Sequence, residues 1–168
     1  MTQGAVLTLF VRLYSATAEQ RWRMAADSTF ATFVQRRSAR RPWTVLVDRW
    51  QSRRYLWFEE YAKKPPTQVL NGHIYALFGV YDYARATGKG AAMRVFDGGA
   101  TTVRHQVDRF RVPGGISYYS LRVHAQYSSY HCIHIGMLKL LTRMTGDSWF
   151  GREARRFAAD APRVSSGC

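Results

Sequence analysis

Three times along this chain an apolar helical stripe runs down to a threonine, and that recurrence limits the fold more than any single motif does. The first stripe spans Leu7 to Thr17 and is followed by a more polar helix from about Ala18 to Arg37, with Trp22, Ala25, Phe30 and Phe33 near helical spacing. In the second, Ile74, Leu77, Phe78 and Tyr81 fall at i, i+3, i+4 and i+7 behind Asn71, a residue type suited to an N-cap, and Gly88 after Thr87 is a stop signal. Its partner runs from about Ala91 to Phe110, with Val95, Phe96, Val103, Val107 and Phe110 on one side, until Pro113-Gly114-Gly115 breaks it. The third starts near His131, carries Ile135, Leu138, Leu141 and Met144, and stops at Thr145-Gly146; Ser148 to Ala159 is its partner. An apolar helix, a more polar helix, then an irregular segment describes a stack of helical hairpins whose inner helices are the more apolar ones.

The irregular segments have their own character. Trp43 to Val47 and Arg54 to Phe58 are β-rich and flank a polar turn, so a short hairpin is expected, ended by Pro65-Pro66. Ile116 to Tyr130 reads as polar, aromatic and strand- or loop-like, and residues 162–168 as a frayed tail. In a stack of hairpins the segments that follow the outer helices share one rim. Glu60-Tyr61 and the stretch from Tyr118 to Tyr130 are therefore expected to face one opening.

Composition narrows the class. A chain of 168 residues, 46% hydrophobic and 14% aromatic, is expected to make one globular domain over residues 1–168. No apolar run is long enough to span a bilayer, and the start lacks the pattern of a signal peptide, so a soluble chain is expected. Cys132 and Cys168 do not make a disulfide framework and nothing demands an oxidising compartment; no Cys/His spacing fits a zinc site, so no metal is expected. A net charge of +14 favours polyanionic partners such as nucleic acid, anionic lipid or acidic polysaccharide, although an Arg-rich composition inherited from a GC-rich genome gives the same excess. The densest cluster, Arg36 to Arg41, reads as a solvated loop.

Several side chains in the irregular segments suit acid/base work on an anion. Glu60 and Tyr61 stand just before a rigid helix start; Tyr118, Tyr119, Arg122, Tyr127, Tyr130, His131 and His134 follow in the second segment. Arginine grips a carboxylate through two parallel hydrogen bonds, and nearby positive charge lowers a phenol enough to make it a base. Singly, each residue also has a plainer role. Tyr75, Tyr81 and Tyr83 read as helix packing with wet hydroxyls, His73 and His134 as satisfied polar residues, and Tyr118 and Tyr119 as alternating faces of a strand.

Together these blocks resemble the C-terminal domain of the D-glucuronyl C5-epimerases, which convert D-glucuronate to L-iduronate within heparan-type chains. The similarity lies in Gln3-Gly4, W-F-E-E-Y at 57–61, L-N-G-H-I-Y-A-L-F-G-V-Y-D at 70–82, Y-S-L-R at 119–122, Y-H-C-I-H-I at 130–135, and Leu138 to Leu141. The resemblance implies an α/α toroid, here incomplete at about three hairpins with β-hairpin insertions on its rim, and no cofactor. It implies Glu60, Tyr61, Tyr119 and Tyr130 as catalytic groups and Arg122 as the clamp on the uronate carboxylate. Gln3, Asn71, His131 and His134, within the matching blocks, are expected to contact substrate, with the histidines helping to neutralise an enediolate.

Two departures from the family pattern are Ser120, where an aspartate is usual, and Cys132-Ile133, where two threonines are usual. The family's domain is already under way at Met1, so association with a second copy or with an N-terminal portion is expected. An acidic, heparosan-like polysaccharide is the implied partner, and the absence of any nucleic-acid motif argues against nucleic acid. Two other readings share the residues: a lyase that removes the same proton and expels the C4 substituent, and a basic fragment that binds acidic glycan without turnover. Animal members of the family work in the Golgi, whereas this composition looks bacterial, which leaves the compartment open.

Overall fold

A computed structural model describes residues 1–35 and 45–168 of the chain. The basic cluster at 36–41 and the start of the expected strand at Trp43 and Thr44 lie outside the described residues. Three helical hairpins make up most of what is described. They are α1 (Thr2–Thr17) with α2 (Gln20–Ala31), α3 (Leu70–Thr87) with α4 (Gly90–Gln106), and α5 (Ser128–Thr145) with α6 (Ser148–Asp160). Helix α3 packs against both α1 and α5, while α2, α4 and α6 each lie on their own partner. Leu7, Ile74, Leu77, Leu138, Phe96 and Phe157 are fully or almost fully buried in one core between these helices. Each such aliphatic or aromatic side chain contributes roughly 1.5–3 kcal/mol.

The inner helices end alike, for a reason visible in the sequence. Thr17, Thr87 and Thr145 each turn their hydroxyl back onto the carbonyl four residues earlier. The same oxygens accept the N–H two residues later, from Glu19, Lys89 and Asp147. The residue in between is left-handed in all three, at Ala18, Gly88 and Gly146. Helix α6 then starts on Asp147, whose carboxylate accepts the Trp149 N–H at 2.9 Å.

Helix starts differ more from expectation. Helix α1 begins at Thr2, five residues before the apolar run, and α5 at Ser128 rather than His131. Helix α2 gives way to a 3-10 turn over Thr32–Val34, and α4 to another over Val107–Arg109. Asn71 is not the N-cap of α3; Val69 is, because Val69 pairs with Ser120 as an isolated antiparallel bridge and fixes the entry two residues earlier.

The hairpin inserted between α2 and α3 is β1 (Val45–Trp50) paired antiparallel with β2 (Arg53–Phe58). Gln51 and Ser52 both take positive φ, as a tight two-residue turn requires. Strand β2 lies on α4, where Thr102 donates its hydroxyl to the Leu56 carbonyl at 2.6 Å. The expected frayed tail is instead a short helix, α7 (Pro162–Ser165), and Cys168 beyond it forms a disulfide with Cys132. The two cysteines, 36 residues apart, meet because the α5–α6 hairpin doubles the chain back. None of the described helices is long and apolar enough to cross a membrane.

Candidate active site

Where β2 ends, Glu59 and Glu60 serve opposite ends. Glu59 is buried, and its carboxylate accepts the Thr67 N–H at 2.9 Å, the Thr67 hydroxyl at 3.0 Å and the Gln68 N–H at 3.2 Å. It ties the Pro65-Pro66 loop down just ahead of α3. Glu60 is half-buried and lies across the first turn of α3 so closely that a Cβ on Gly72 would sit 2.5 Å from its Oε2. A helix N-terminus carries unpaired N–H groups and positive potential, which favours a carboxylate there.

The second irregular segment is laid beside this one by main-chain bonds. Leu70 N–H donates to the Tyr119 carbonyl, Leu121 N–H to Gln68, and Arg122 N–H to Thr67, at 3.2–3.3 Å. Tyr119 thereby faces the Glu60 loop, its hydroxyl donating to Glu60 Oε2 at 3.3 Å and lying 3.0 Å from the Tyr61 hydroxyl. Since the one Tyr119 proton is engaged with Glu60, Tyr61 is the donor between the two phenols. The rings of Tyr119 and Tyr130 are 4.5 Å apart. The structure therefore gathers Glu60, Tyr61, Tyr119 and Tyr130, and adds Tyr127, whose ring is 6.0 Å from Tyr119 and 5.8 Å from Tyr130. Tyr127 was among the candidates of the second segment but was not expected as a catalytic group; its spacing three residues before Tyr130 at a helix start is what brings the two rings together.

Burial, the hydrogen bond with Tyr61 and the negative charge of Glu60 all push the Tyr119 phenol above its ordinary acidity range. This corrects the expectation of a phenol made acidic by nearby positive charge: at neutral pH Tyr119 is a protonated donor. Beside it, Glu59, Glu60, Gln3, Thr2 and Met1 line a cavity of about 290 Å³. Gln3 is held in that wall by donating its side-chain amide to Thr32 Oγ1 at 3.1 Å.

The other expected substrate contacts differ in exposure. Arg122, three residues after Tyr119, is exposed and lines a groove with Gln68, Leu121, Asp48 and Arg109. His131 and His134 are fully buried, corrected from substrate contacts to supports of the loop. Ser117 donates its N–H to His131 Nδ1 at 3.1 Å, and its hydroxyl lies 3.0 Å from His131 Nδ1 and 2.9 Å from His134 Nδ1. Two residues on is Tyr119. The signal was present in the sequence, because His131, His134, Ile135 and Leu138 share one face of a helix. Burial holds His134 neutral, its pKa brought down to about 3. Asn71 is buried under the start of α3 with Oδ1 unpartnered.

His73 is a satisfied polar residue, as expected. Phe58 N–H donates to its Nδ1 at 2.9 Å, so Nε2 carries the proton and donates to the Gly99 carbonyl at 3.1 Å. Its ring stacks on Trp57 at 4.5 Å, and burial brings its pKa down to about 4. Tyr83, expected to keep a wet hydroxyl, is buried and donates to Asp27 instead, accepting from Lys89 Nζ at 2.8 Å. Ser120 closes the turn after Tyr119 by accepting the Val123 N–H at 3.1 Å. Among the described residues no group of three or more His, Cys, Asp and Glu side chains converges to hold a metal ion.

The family described as D-glucuronyl C5-epimerase C-terminus matches residues 1–159 of this chain. The chain belongs to that family. It is also similar to an uncharacterized protein of Methanocaldococcus jannaschii, 26% identical over 144 residues that make up 86% of this chain and 46% of that protein. This chain thus spans less than half the length of that relative. The acid, the phenols and the ladder that joins them all fall inside the segment matched to the family.

Proposed function

We propose that this chain carries a uronyl C5-epimerase site, acting on glucuronate within a heparosan-type polysaccharide. The observation behind this is the chain of hydrogen bonds Tyr61–Tyr119–Glu60 beside an open cavity. C5 of a uronate lies α to a carboxylate, and removing its proton builds a second negative charge there. Inversion needs one group to take that proton and another to return one on the opposite face. In this reading the C5–H bond breaks toward Glu60, and the electron pair moves into the carboxylate as an enediolate. Tyr61 then gives C5 a proton from the other face and is left as a phenolate that takes the proton relayed by Tyr119. The proton held by Glu60 passes through the Tyr119 hydroxyl, which gives one proton as it receives another, and the starting state is restored. A phenol that resists ionisation suits such a relay better than it suits a resting base. The family membership and the three hairpins support an arc of an α/α toroid as the scaffold. Arg122, on the same segment as Tyr119, is the group for the uronate carboxylate in this reading.

Paired kinetic and binding measurements test this. Glu60→Gln and Tyr119→Phe are expected to lower epimerisation at least ~100-fold, the usual loss on removing a proton-transfer group, while the polymer still binds. Unchanged turnover in either variant contradicts the assignment. A rise in ultraviolet absorbance from an unsaturated uronate, in place of iduronate, would make the chain a lyase.

A further inference from the structure

The C-terminal tail is tied to the helix that carries part of the site. Cys168 is bonded to Cys132, which follows Tyr130 and His131 in the opening turns of α5. Cys132 is also one of the positions where this chain departs from the family pattern. Helix α7, between α6 and that bond, has four residues and buries none of them. A helix so short does not persist without an outside hold. Its own main-chain bonds are local, with the Val164 and Ser165 N–H groups both donating to the Ala161 carbonyl. The disulfide supplies the hold and keeps α7 against α5 and α6.

His131 lies under that tail. Its ring is fully buried, and Ser165 Oγ, at the end of α7, is 3.4 Å from Nε2. Nδ1 accepts the Ser117 N–H at 3.1 Å, so Nε2 carries the proton, and it bonds to the main chain of Phe157. Ser117 is itself buried and stands two residues before Tyr119. The bond from Tyr119 to Glu60 is 3.3 Å long, so a small shift of this segment breaks it. Contacts thus run from Cys168 through Ser165, His131 and Ser117 to the phenol. We propose that the Cys132–Cys168 bond is a redox latch on the site: closed, it seats His131 as a positioning residue for Tyr119, and open, it frees α7 and lets Tyr119 drift from Glu60. This rests on the epimerase reading for the role of Tyr119, while the hold on Ser117 does not. The latch opens by exchange with a dithiol. Cys132 is half-buried with Sγ against the Val164 carbonyl, whereas Cys168 is exposed, so a thiolate of the dithiol attacks the Cys168 sulfur. The electron pair of the S–S bond leaves on Cys132, which takes a proton. The second thiolate of the dithiol then displaces Cys168, which takes another, and the dithiol departs as its own disulfide.

Epimerisation and amide hydrogen exchange, measured on the full chain before and after dithiothreitol, test the latch, with free thiols counted by alkylation. Both measurements are made below the melting temperature of the reduced form. On reduction, exchange at the Ser117 amide is expected to quicken at least about ten-fold, while the amide of Leu77 in the core stays protected. The value of kcat should fall about ten-fold or more, since a misplacement near 1 Å costs about 100-fold, with KM close to its oxidised value. Reoxidation should restore both. Cys168→Ser should behave in oxidising buffer as reduced wild type does and be indifferent to dithiothreitol. Unchanged Ser117 exchange or unchanged kcat in protein shown to be reduced overturns the latch. So does exchange that quickens equally at Leu77, which would make the bond a general brace. Quickened Ser117 exchange in a chain that does not epimerise even when oxidised keeps the hold on Ser117 and removes the epimerase reading.

Discussion

Replacing Gly72 by alanine presses on the site at its most crowded point. The added methyl would lie 2.5 Å from Glu60 Oε2, 2.7 Å from its Cβ and 3.1 Å from its Cδ. Ordinary contact between such atoms starts near 3.5 Å, so the carboxylate must move by about 1 Å. Its hydrogen bond from Tyr119 is already 3.3 Å long, and that displacement breaks it. The carboxylate end can swing away but Cβ is tied to the main chain, so the backbone at Glu60 must shift too: about 1–3 kcal/mol of crowding is only partly offset by the gain of up to about 1 kcal/mol from replacing a helical glycine. A misplacement of this size costs about 100-fold in turnover. Epimerisation rate and melting temperature would be measured on the same preparation. A large loss of rate with a drop in melting point of only a few degrees, about 1–2 kcal/mol, is expected. Wild-type turnover in the alanine variant would show that Glu60 does not work from this position.

Stability offers further checks. Reducing or deleting the Cys132–Cys168 disulfide opens a loop of 36 residues and should remove up to about 4 kcal/mol, read as a drop in melting temperature with reductant; an unchanged melting point would mean that the pair is not formed. His73 and His134 are neutral in the fold, with pKa values near 4 and 3, whereas the unfolded chain takes up protons near 6.5. Stability is therefore full above pH 6.5 and falls as the pH drops toward 4, by roughly 3 kcal/mol for His73 alone. A melting temperature that stays flat from pH 7.5 to about 4.5 would contradict the buried, neutral assignment. Ala18 holds the left-handed cap that glycine holds in the other two hairpins, so Ala18→Gly should stabilise the chain by about 0.5–1 kcal/mol, measured by denaturant unfolding.

The helical hairpins were legible because spacing and stop signals are local properties of the chain. The stripe from Ile74 to Tyr81 and the Thr-Gly stops at 87–88 and 145–146 sit where the pattern put them. Helix starts were not legible, because α3 begins where Glu59 and the Ser120 bridge hold the backbone, and both are contacts across space. The pairing of Cys132 with Cys168 was missed on similar grounds, since it depends on how the last hairpin folds back. At the site, the approach of Glu60, Tyr61, Tyr119 and Tyr130 followed from the order of the hairpins. The groove that Arg122 lines with Asp48 and Arg109 was not legible, because it depends on how the turn at 121–123 meets the β1–β2 hairpin. The histidines were misjudged by residue type, although their spacing placed them on the buried face of α5.

The decisive observation is hydrogen exchange at C5. The protein would be incubated with N-sulfated heparosan in D2O and the polymer followed by NMR for deuterium at C5 and for iduronate signals. Deuterium at C5 together with iduronate is expected if Glu60 takes the proton and a phenol returns one from the opposite face. Glucuronate that keeps its C5 hydrogen, in polymer that binds the protein, would contradict the account.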